Sequence, residues 1–350
     1  MKARFTPYVL NFKQASGTSR GILRTKTSYF IHLATADGEG LGECGLLKGL
    51  SADDRPDYEQ KLAEVCQTIE NGAEVRALIS NLEEWPSIKA GLEMALLDLK
   101  SEEHILYPSD FTLGKASQPI NGLIWMGDEA FMKSQIEKRL AEGFSVLKMK
   151  IGAIDWATEL KLLKSIRQSF SAQELELRVD ANGAFSYQEV APVLEALSHL
   201  KVHSIEQPLP KGQWQEMAAL CANTPVPIAL DEELIGVFGR QRKQDLLQTI
   251  GPQYIILKPS FLGGFAASEE WISWAEAQKI GWWTTSALES NYGLNAIAQW
   301  NFTLKNSLPS GLGTGSLFTN NFESPLEVKK GRLYFDPAET WNLNRLQQKF

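Results

Sequence analysis

The chain has 350 residues, of which 43% are hydrophobic and 22% charged, and its formal net charge is −7. This length suits one large α/β domain with a smaller one, and the composition is that of an ordinary globular protein. The mild negative charge does not suggest a nucleic-acid partner, although a local cluster of cations still allows a small anionic carboxylate substrate.

The cysteines and the hydrophobic runs indicate in which cellular compartment the protein is expected. The cysteines Cys44, Cys66 and Cys221 are far apart and odd in number, so neither a zinc site nor a disulfide framework is expected. The sequence has no run of about 18 apolar residues, and its first ten residues lack the apolar core of a signal peptide. We therefore expect a cytoplasmic protein with no membrane partner, and the oligomeric state is left open.

Residues 1–117 are expected to form an α+β domain. The stretches ARFTPYVLNFK and SYFIHLATADGEGLGECGLL alternate like strands, and ADGEG supplies a hairpin turn. Two helices are predicted in RPDYEQKLAEVCQTIEN and PSIKAGLEMALLDLKSE. The Gly-, Ser- and Thr-rich segment 15–25 is typical both of a mobile loop and of a lid that closes over a substrate.

From residue 118 onward, short apolar runs alternate with amphipathic helices. Eight strand-like runs are present: GLIWMG, SVLKMKIG, ELRVDANG, HSIEQPL, IALDEEL, YIILKPS, WWTTSALES and SGLGTGS. This alternation predicts a (β/α)8-type barrel over residues 118–325. Residues 326–350 lack the rhythm and are expected to return to the N-terminal domain.

Ionisable side chains recur at the ends of five consecutive predicted strands. They are Lys150, Asp180, Glu206, Asp231 and Lys258. Each of these motifs alone is also typical of a turn, a strand end or a helix cap. Their spacing of 25 to 30 residues matches one βα unit, however, and active sites of such barrels lie at the C-terminal ends of the strands. We therefore expect the five side chains to converge on one site.

The acidic members of this set predict a metal site. Asp180, Glu206 and Asp231 would repel one another unless a cation lay between them. Oxygen ligands without a phased His or Cys favour Mg²⁺, with Mn²⁺ possible. Lys150 and Lys258 flank the carboxylates and would lie on opposite sides of a bound substrate. A lysine could then remove the α-proton of a substrate carboxylate, and the cation and ammonium groups would stabilise the resulting enediolate.

Lys148 shares a strand face with Lys150, because residues two apart on a strand point to the same side. Two hypotheses explain the pair. One lysine lowers the pKa of the other, or one takes the proton while the other holds the anion that forms.

Further polar residues lie beside the predicted ligands. Arg178 shares the face of Asp180 and is expected either to meet an anionic substrate tail or to form a structural ion pair. Asn182 and Glu232 are candidates to support the metal ligands through hydrogen bonds. His203 is expected to be structural.

The strand-end motifs resemble those of the enolase superfamily, and within it the muconate-lactonising-enzyme subgroup. The matching stretches are Lys-x-Lys at 148–150, VDAN, IEQP, LDEE and LKPS. In addition, SALESNYGLNAIAQ and SGLGTGSLFTNN resemble the seventh and eighth strand ends of the o-succinylbenzoate synthase family. The resemblance covers nearly the whole chain and implies the modified barrel of that superfamily with an α+β N-terminal capping domain.

The resemblance also implies a reaction, the Mg²⁺-dependent syn-dehydration of 2-succinyl-6-hydroxy-2,4-cyclohexadiene-1-carboxylate to o-succinylbenzoate in menaquinone biosynthesis. Lys150 would take the α-proton and assist departure of the β-hydroxyl. Lys258 would stabilise the enediolate from the other face, and Lys148 would support Lys150.

The sequence also offers candidates for the residues that select the substrate, and alternatives for the reaction. Thr285, Ser286 and Gly311 match positions at which family members hold the substrate, although ordinary backbone at the barrel mouth is the alternative. An N-succinylamino-acid racemase or a dipeptide epimerase would use the same acid–base groups. The Asp-x-Asp that usually follows the eighth strand of dipeptide epimerases is missing from GLGTGSLF. Muconate cycloisomerase is a minor alternative, and a non-catalytic barrel would have no need of the full set of carboxylates and lysines.

Overall fold

A computed structural model of the chain describes residues 1–18 and 21–348. The N-terminal part contains an antiparallel sheet in the order β1-β2-β3, followed by three helices. The strands are β1 (Lys2–Thr18), β2 (Gly21–Ala34) and β3 (Glu39–Cys44), and the helices are α1 (Tyr58–Glu70), α2 (Val75–Ser80) and α3 (Pro86–Asp98). The predicted hairpin and both predicted helices are confirmed, and α2 was not foreseen.

The rest of the chain builds a parallel sheet whose strands alternate with helices. After the short β4 (Gln118–Pro119), the sheet strands are β5 (Gly122–Ile124), β6 (Val146–Lys150), β7 (Glu176–Asp180), β8 (Ser204–Glu206), β9 (Ile228–Leu230), β10 (Tyr254–Leu257) and β11 (Gly281–Thr284). The helices are α4 (Glu129–Ala141), α5 (Trp156–Ser169), α6 (Val190–His199), α7 (Trp214–Asn223), α8 (Arg240–Ile250), α9 (Pro259–Leu262), α10 (Gly264–Ala277) and α11 (Asn291–Thr303). The α/β barrel class is confirmed.

The predicted eighth strand takes a reduced form. The segment SGLGTGS is joined to the sheet by two isolated parallel bridges, Ile120↔Ser310 and Thr285↔Gly311. An added Cβ at Gly311 would overlap the Thr285 side chain, so this close approach requires glycine. The barrel therefore closes through bridges and a 3-10 turn at Thr314–Leu317, and the eighth position is not a regular strand within the described residues.

Local capping explains where some of the barrel helices begin and end. Asp128 accepts a hydrogen bond from the Phe131 amide at the start of α4, and Asp155 accepts one from the Thr158 amide at the start of α5. Gly251 ends α8 in the left-handed conformation at φ 58°. These signals lie outside the apolar strands and fix the ends of the helices.

The segment 15–25 differs from the predicted loop. β1 and β2 remain paired as far as Thr18↔Gly21, with a register shift between Asn11 and Ser16, so its described part is a long hairpin. Residues 19 and 20 lie outside the described residues. Leu23, near the hairpin end, lines the cavity at the barrel mouth.

The C-terminal segment makes contacts with both parts of the molecule. β12 (Leu326–Lys329) and β13 (Arg332–Phe335) form a hairpin that pairs with β4 at the start of the barrel. The later Leu343 and Leu346, the second of them in α12 (Asn344–Gln347), line a cavity with Arg4 and His32 of the N-terminal sheet. The domain boundaries stay a prediction. Among the described residues, no helix is both long and apolar enough to cross a membrane.

Candidate active site

The ionisable residues predicted from the strand ends converge at one end of the parallel sheet. Lys150 lies opposite Asp180 in the register of β6 and β7, and Asp180 lies opposite Glu206 in that of β7 and β8. The cavity at this end is lined by Lys148, Lys150, Asp180 and Lys258. The spacing of the strand ends therefore brings these groups to one end of the sheet, and their catalytic and metal-binding roles stay a prediction.

Lys148 is held by two carboxylates. Its Nζ atom lies 3.0 Å from Asp180 Oδ2 and also contacts Glu206 Oε2. Burial lowers the pKa of Lys148, but attraction to the two carboxylates outweighs burial and raises this pKa above its ordinary 10.5. A fixed positive charge at Lys148 is what both hypotheses for the lysine pair require, so the choice between them stays open.

Burial and neighbouring charges also shift the pKa values of the carboxylates. Burial opposes ionisation of Asp180, but Lys148 and Lys150 outweigh it and hold the pKa of Asp180 well below its usual range. Burial raises the pKa of Glu206 to about 8, and the nearby charge of Asp180 adds to the effect. A dication beside these groups would offset both causes of the raised Glu206 pKa.

Lys258 occupies the other side of the carboxylate group. Its Nζ forms an ion pair with Asp231 Oδ2. Burial lowers the pKa of Lys258, but Asp231 and Glu206 outweigh burial and raise it. Lys258 is thus a second fixed cation, separated in sequence from Lys150 by the carboxylate-bearing strands.

The three carboxylates fit a divalent cation by chemistry. They lie on adjacent strands, are nearly fully buried, and include Glu206 Oε1, a buried oxygen without a hydrogen-bond partner among the described residues. As they stand, the lysine ammonium groups are their nearest partners. Within residues 1–18 and 21–348, no three acidic, His or Cys side chains converge closely enough to hold an ion. The metal ligands Asp180, Glu206 and Asp231 stay a prediction.

Lys150 is oriented by an amide. Its Nζ donates to Asn182 Oδ1 at 2.6 Å and to Asp180 Oδ2 at 2.9 Å. Asn182 in turn donates from Nδ2 to Glu232 Oε1 at 3.0 Å and keeps a left-handed backbone at φ 45°. The indole ring of Trp125 lies 5.8 Å from the Lys150 ammonium. Asn182 therefore supports Lys150, and Glu232 supports Asn182, whereas their predicted support of the metal ligands stays a prediction.

The predicted substrate-binding residues of the last two strand ends line the same cavity: Thr285, Ser286 and Gly311. Thr285 Oγ1 donates to the Gly311 carbonyl at 3.1 Å, and Ser286 Oγ lies 2.7 Å from Thr314 Oγ1. Their contact with a substrate stays a prediction.

Arg178 does not line the cavity, although it packs on Trp283, which does. It is 1% exposed, donates from Nε to Glu176 Oε1 at 2.6 Å and from Nη1 to the Pro309 carbonyl at 2.8 Å, and covers the Trp283 ring. This arrangement corresponds to the structural ion pair, one of the two predicted roles, and contact with a substrate tail stays a prediction. His203 lies near the same glutamate and is absent from the cavity wall, which agrees with a structural role.

Sequence reasoning missed a buried glutamate behind Lys150. Glu159, in the first turn of α5, is 1% exposed and accepts hydrogen bonds from the amides of Gly152, Ala153 and Ile154. It therefore fixes the turn that follows the lysine strand. Its place in an ordinary amphipathic helix start gave no sequence signal.

Two further groups were missed. Gln207 is fully buried and accepts from the amides of Asp231 and Glu233 at 3.2 Å each, which ties β8 to the end of β9. The N-terminal sheet domain contributes apolar cavity walls through Leu23, Leu47 and Leu50. The alternation of the N-terminal strands could not show which leucines face the barrel.

Comparison with known proteins assigns the family. The model described as "Enolase C-terminal domain-like" matches residues 132–338. An o-succinylbenzoate synthase of Desulfotalea psychrophila is 47% identical over 93% of this chain and 96% of its own length. The chain belongs to the o-succinylbenzoate synthase family of the enolase superfamily.

Other relatives agree with this family. The crystal structure of MenC from Desulfotalea psychrophila superposes with a TM-score of 0.85 at 43% identity, covering 95% of this chain and 99% of that one. An N-succinylamino acid racemase of Thermus thermophilus is 28% identical over 79% of this chain and 75% of its own length. The recognised superfamily and the barrel are thus confirmed. Enzymes of this superfamily use a divalent metal, which is the coarser form of the Mg²⁺ prediction.

Proposed function

We propose that the protein is a hydro-lyase that dehydrates 2-succinyl-6-hydroxy-2,4-cyclohexadiene-1-carboxylate to o-succinylbenzoate, a step of menaquinone biosynthesis. The observation that carries the proposal is membership of the o-succinylbenzoate synthase family over almost the full chain. The cavity adds the required chemistry, since it presents lysine ammonium groups to a small carboxylate substrate.

Lys150 is the proposed base. It lines the cavity, and Asn182 orients its Nζ, so a neutral amine at this point would face the α-carbon of a bound carboxylate. After taking the α-proton, the same ammonium would protonate the β-hydroxyl as it leaves. Syn elimination follows because one group serves both positions on one face of the ring.

Lys258 and Lys148 are proposed to remain charged throughout. Both are held by carboxylates, and both are therefore suited to stabilising the negative charge that develops on the substrate carboxylate. Asp180, Glu206 and Asp231 would hold Mg²⁺, with Mn²⁺ as an alternative. When bound, the ion supplies positive charge that acidifies the adjacent C–H bond.

The test is a spectrophotometric assay of the purified protein with the cyclohexadiene precursor, with Mg²⁺ and with EDTA. We expect Mg²⁺-dependent loss of the diene absorbance at kcat/KM of about 10⁴ M⁻¹ s⁻¹ or more. Lys150→Ala should abolish turnover, whereas Lys164→Ala, which removes an exposed lysine of α5, should not. Full activity in Lys150→Ala would refute the assignment of the base.

The same protein should be tested for deuterium exchange on N-succinyl amino acids, because a relative is an N-succinylamino acid racemase. Exchange without any dehydration of the cyclohexadiene precursor would replace the lyase proposal with a racemase. Exchange together with dehydration would add a side activity at the same two lysines, since both reactions begin with removal of an α-proton.

A further inference from the structure

A buried ionic cluster joins the N-terminal sheet to the barrel. Lys26 of β2 and Glu43 of β3 are 3% and 0% exposed, and the Lys26 Nζ lies 3.9 Å from Glu43 Oε1. Ser28 bridges them, since its Oγ accepts from Lys26 Nζ at 2.8 Å and donates to Glu43 Oε1 at 2.6 Å. Such a desolvated group is costly unless all its partners are in place, so it holds its surroundings in one arrangement.

Glu43 reaches across to the barrel and caps α11. Its carboxylate accepts from the Ser290 amide at 3.0 and 3.1 Å, from the Ser290 hydroxyl, and from the Gly293 amide at 3.0 Å. An added Cβ at Gly293 would lie 2.8 Å from Glu43 Oε2, so the absence of a side chain there permits this approach. A negative charge at a helix N-terminus is favourable, which strengthens the contact.

A second buried carboxylate continues the connection to the cavity wall. Glu289 is 0% exposed, and it accepts from Ser260 Oγ and from the Ala287 amide at 2.6 Å each. The latter bond spans Leu288, a cavity-lining residue with a left-handed backbone at φ 61°. A non-glycine residue persists in that conformation only where its surroundings hold it.

The loop after β3 lies directly against this pair. An added Cβ at Gly45 would lie 2.8 Å from Glu289 Oε1 and still closer to Ser260 Oγ. The same loop carries Leu47 and Leu50 into the cavity. The N-terminal part thus contacts the start of α11 through Glu43, and it contacts Glu289, which accepts from the wall residue Ala287, through the loop at Gly45.

We propose that Lys26, Glu43 and Glu289, together the interdomain clamp, are positioning residues that hold the cavity wall 285–288 in the form that binds the substrate. The inference rests on the proposed function for its substrate, but not for its geometry. The clamp touches neither Lys150 nor the predicted metal ligands, so its loss should weaken substrate binding more than the chemical step.

The main test is Glu43→Gln. One carboxylate oxygen becomes an amide donor that faces the amide donors of Ser290 and Gly293. We expect KM for the cyclohexadiene precursor to rise about tenfold, as the loss of roughly one charged hydrogen bond predicts, with kcat within about threefold of wild type. The pH profile of kcat should keep its shape because the base is untouched.

The matched control is Glu93→Gln. Glu93 of α3 is also a glutamate of the N-terminal part that accepts amides at the start of a barrel helix, those of Phe265 at 2.5 Å and Ala266 at 3.1 Å. None of these residues lines the cavity. The control should lower Tm as Glu43→Gln does and leave KM within about twofold. An equal rise of KM in both variants, or none in a folded Glu43→Gln, would overturn the proposal.

Amide hydrogen exchange measured on wild type and both variants tests the clamp without the reaction. Glu43→Gln should speed exchange in residues 287–293, and Glu93→Gln should not. This readout decides the proposal even if wild type proves inactive on the precursor, an outcome that would refute the proposed function alone. If Glu43→Gln does not fold, Gly45→Ala replaces it, because its added methyl group presses on Ser260 and Glu289 without removing a charge. Unchanged exchange in 287–293 in the folded variant would refute the clamp.

Discussion

The stability of the N-terminal part should depend on the ionisation of Asp53. This side chain is fully buried, and its Oδ2 accepts from the Ser87 amide at 2.8 Å and the Ser87 hydroxyl at 2.7 Å. Burial raises the pKa of Asp53 from 3.8 to about 6, and the hydrogen bonds from Ser87 only partly oppose it. Asp53→Asn keeps an oxygen acceptor for Ser87 and removes the charge.

The sign follows from which state binds the proton more tightly. The pKa of Asp53 is higher in the folded state, so its contribution to stability is complete below pH 3.8 and is lost as the pH rises through about 6. The full difference is about 3 kcal/mol at about 1.4 kcal/mol per pH unit, and about half of it is lost between pH 5 and 8. Asp53→Asn should therefore gain about 1.4 kcal/mol relative to wild type across that window.

The assay is urea unfolding of both proteins at several pH values between about 5 and 8, followed by linear extrapolation. Asp54→Asn is the matched control, since it makes the same change of charge at the exposed neighbouring residue and should keep the wild-type pH dependence. Parallel stability curves for Asp53→Asn and wild type would refute the reasoning, because they would mean that the buried carboxylate binds protons equally in both states.

Three further outcomes are expected. Glu159→Ala should lower kcat by about tenfold or more, because the turn after Lys150 loses its hydrogen-bond acceptor. Glu159→Gln should restore part of this rate in the spectrophotometric assay. Equal rates for wild type and both variants would contradict this role. Arg178→Met should lower the free energy of unfolding by about 2 kcal/mol or more and leave KM unchanged, whereas a rise in KM without loss of stability would restore the substrate-tail hypothesis. Asp231→Asn should weaken Mn²⁺ binding by about tenfold or more in an electron paramagnetic resonance titration, and unchanged affinity would remove this residue from the predicted ligands.

The regular spacing of the βα units explains why the strand-end residues could be found from the sequence. In a βα repeat the C-terminal end of each strand returns at a nearly constant interval, so Asp180, Glu206 and Asp231 are recognisable before any contact is known. Glu159 is not part of such a regular series. It is chemically identical to a solvent-exposed glutamate in a first helical turn, and only tertiary structure shows that it turns inward.

The amino-acid composition led to a different secondary structure from the observed one in two segments. Gly, Ser and Thr in 15–25 suggested a loop, yet these residues pair well enough as strands when a partner strand is available. The glycines of SGLGTGS look like those of an ordinary strand end, but within the described residues this segment is joined to its neighbours by isolated bridges at Ser310 and Gly311. Both errors arise because long-range partners decide the backbone and local sequence does not name them.

Lys148 and Lys150 have an electrostatic role beside the chemical role that we propose for them. Three buried carboxylates so close together repel one another, and the three ammonium groups of Lys148, Lys150 and Lys258 offset that repulsion. The proposed substrate carries two carboxylates, so a dication and this dianion together add no net charge to the site. A divalent cation held by Asp180, Glu206 and Asp231 would compete with the lysines for these carboxylates, and it would leave the ammonium groups to a carboxylate substrate.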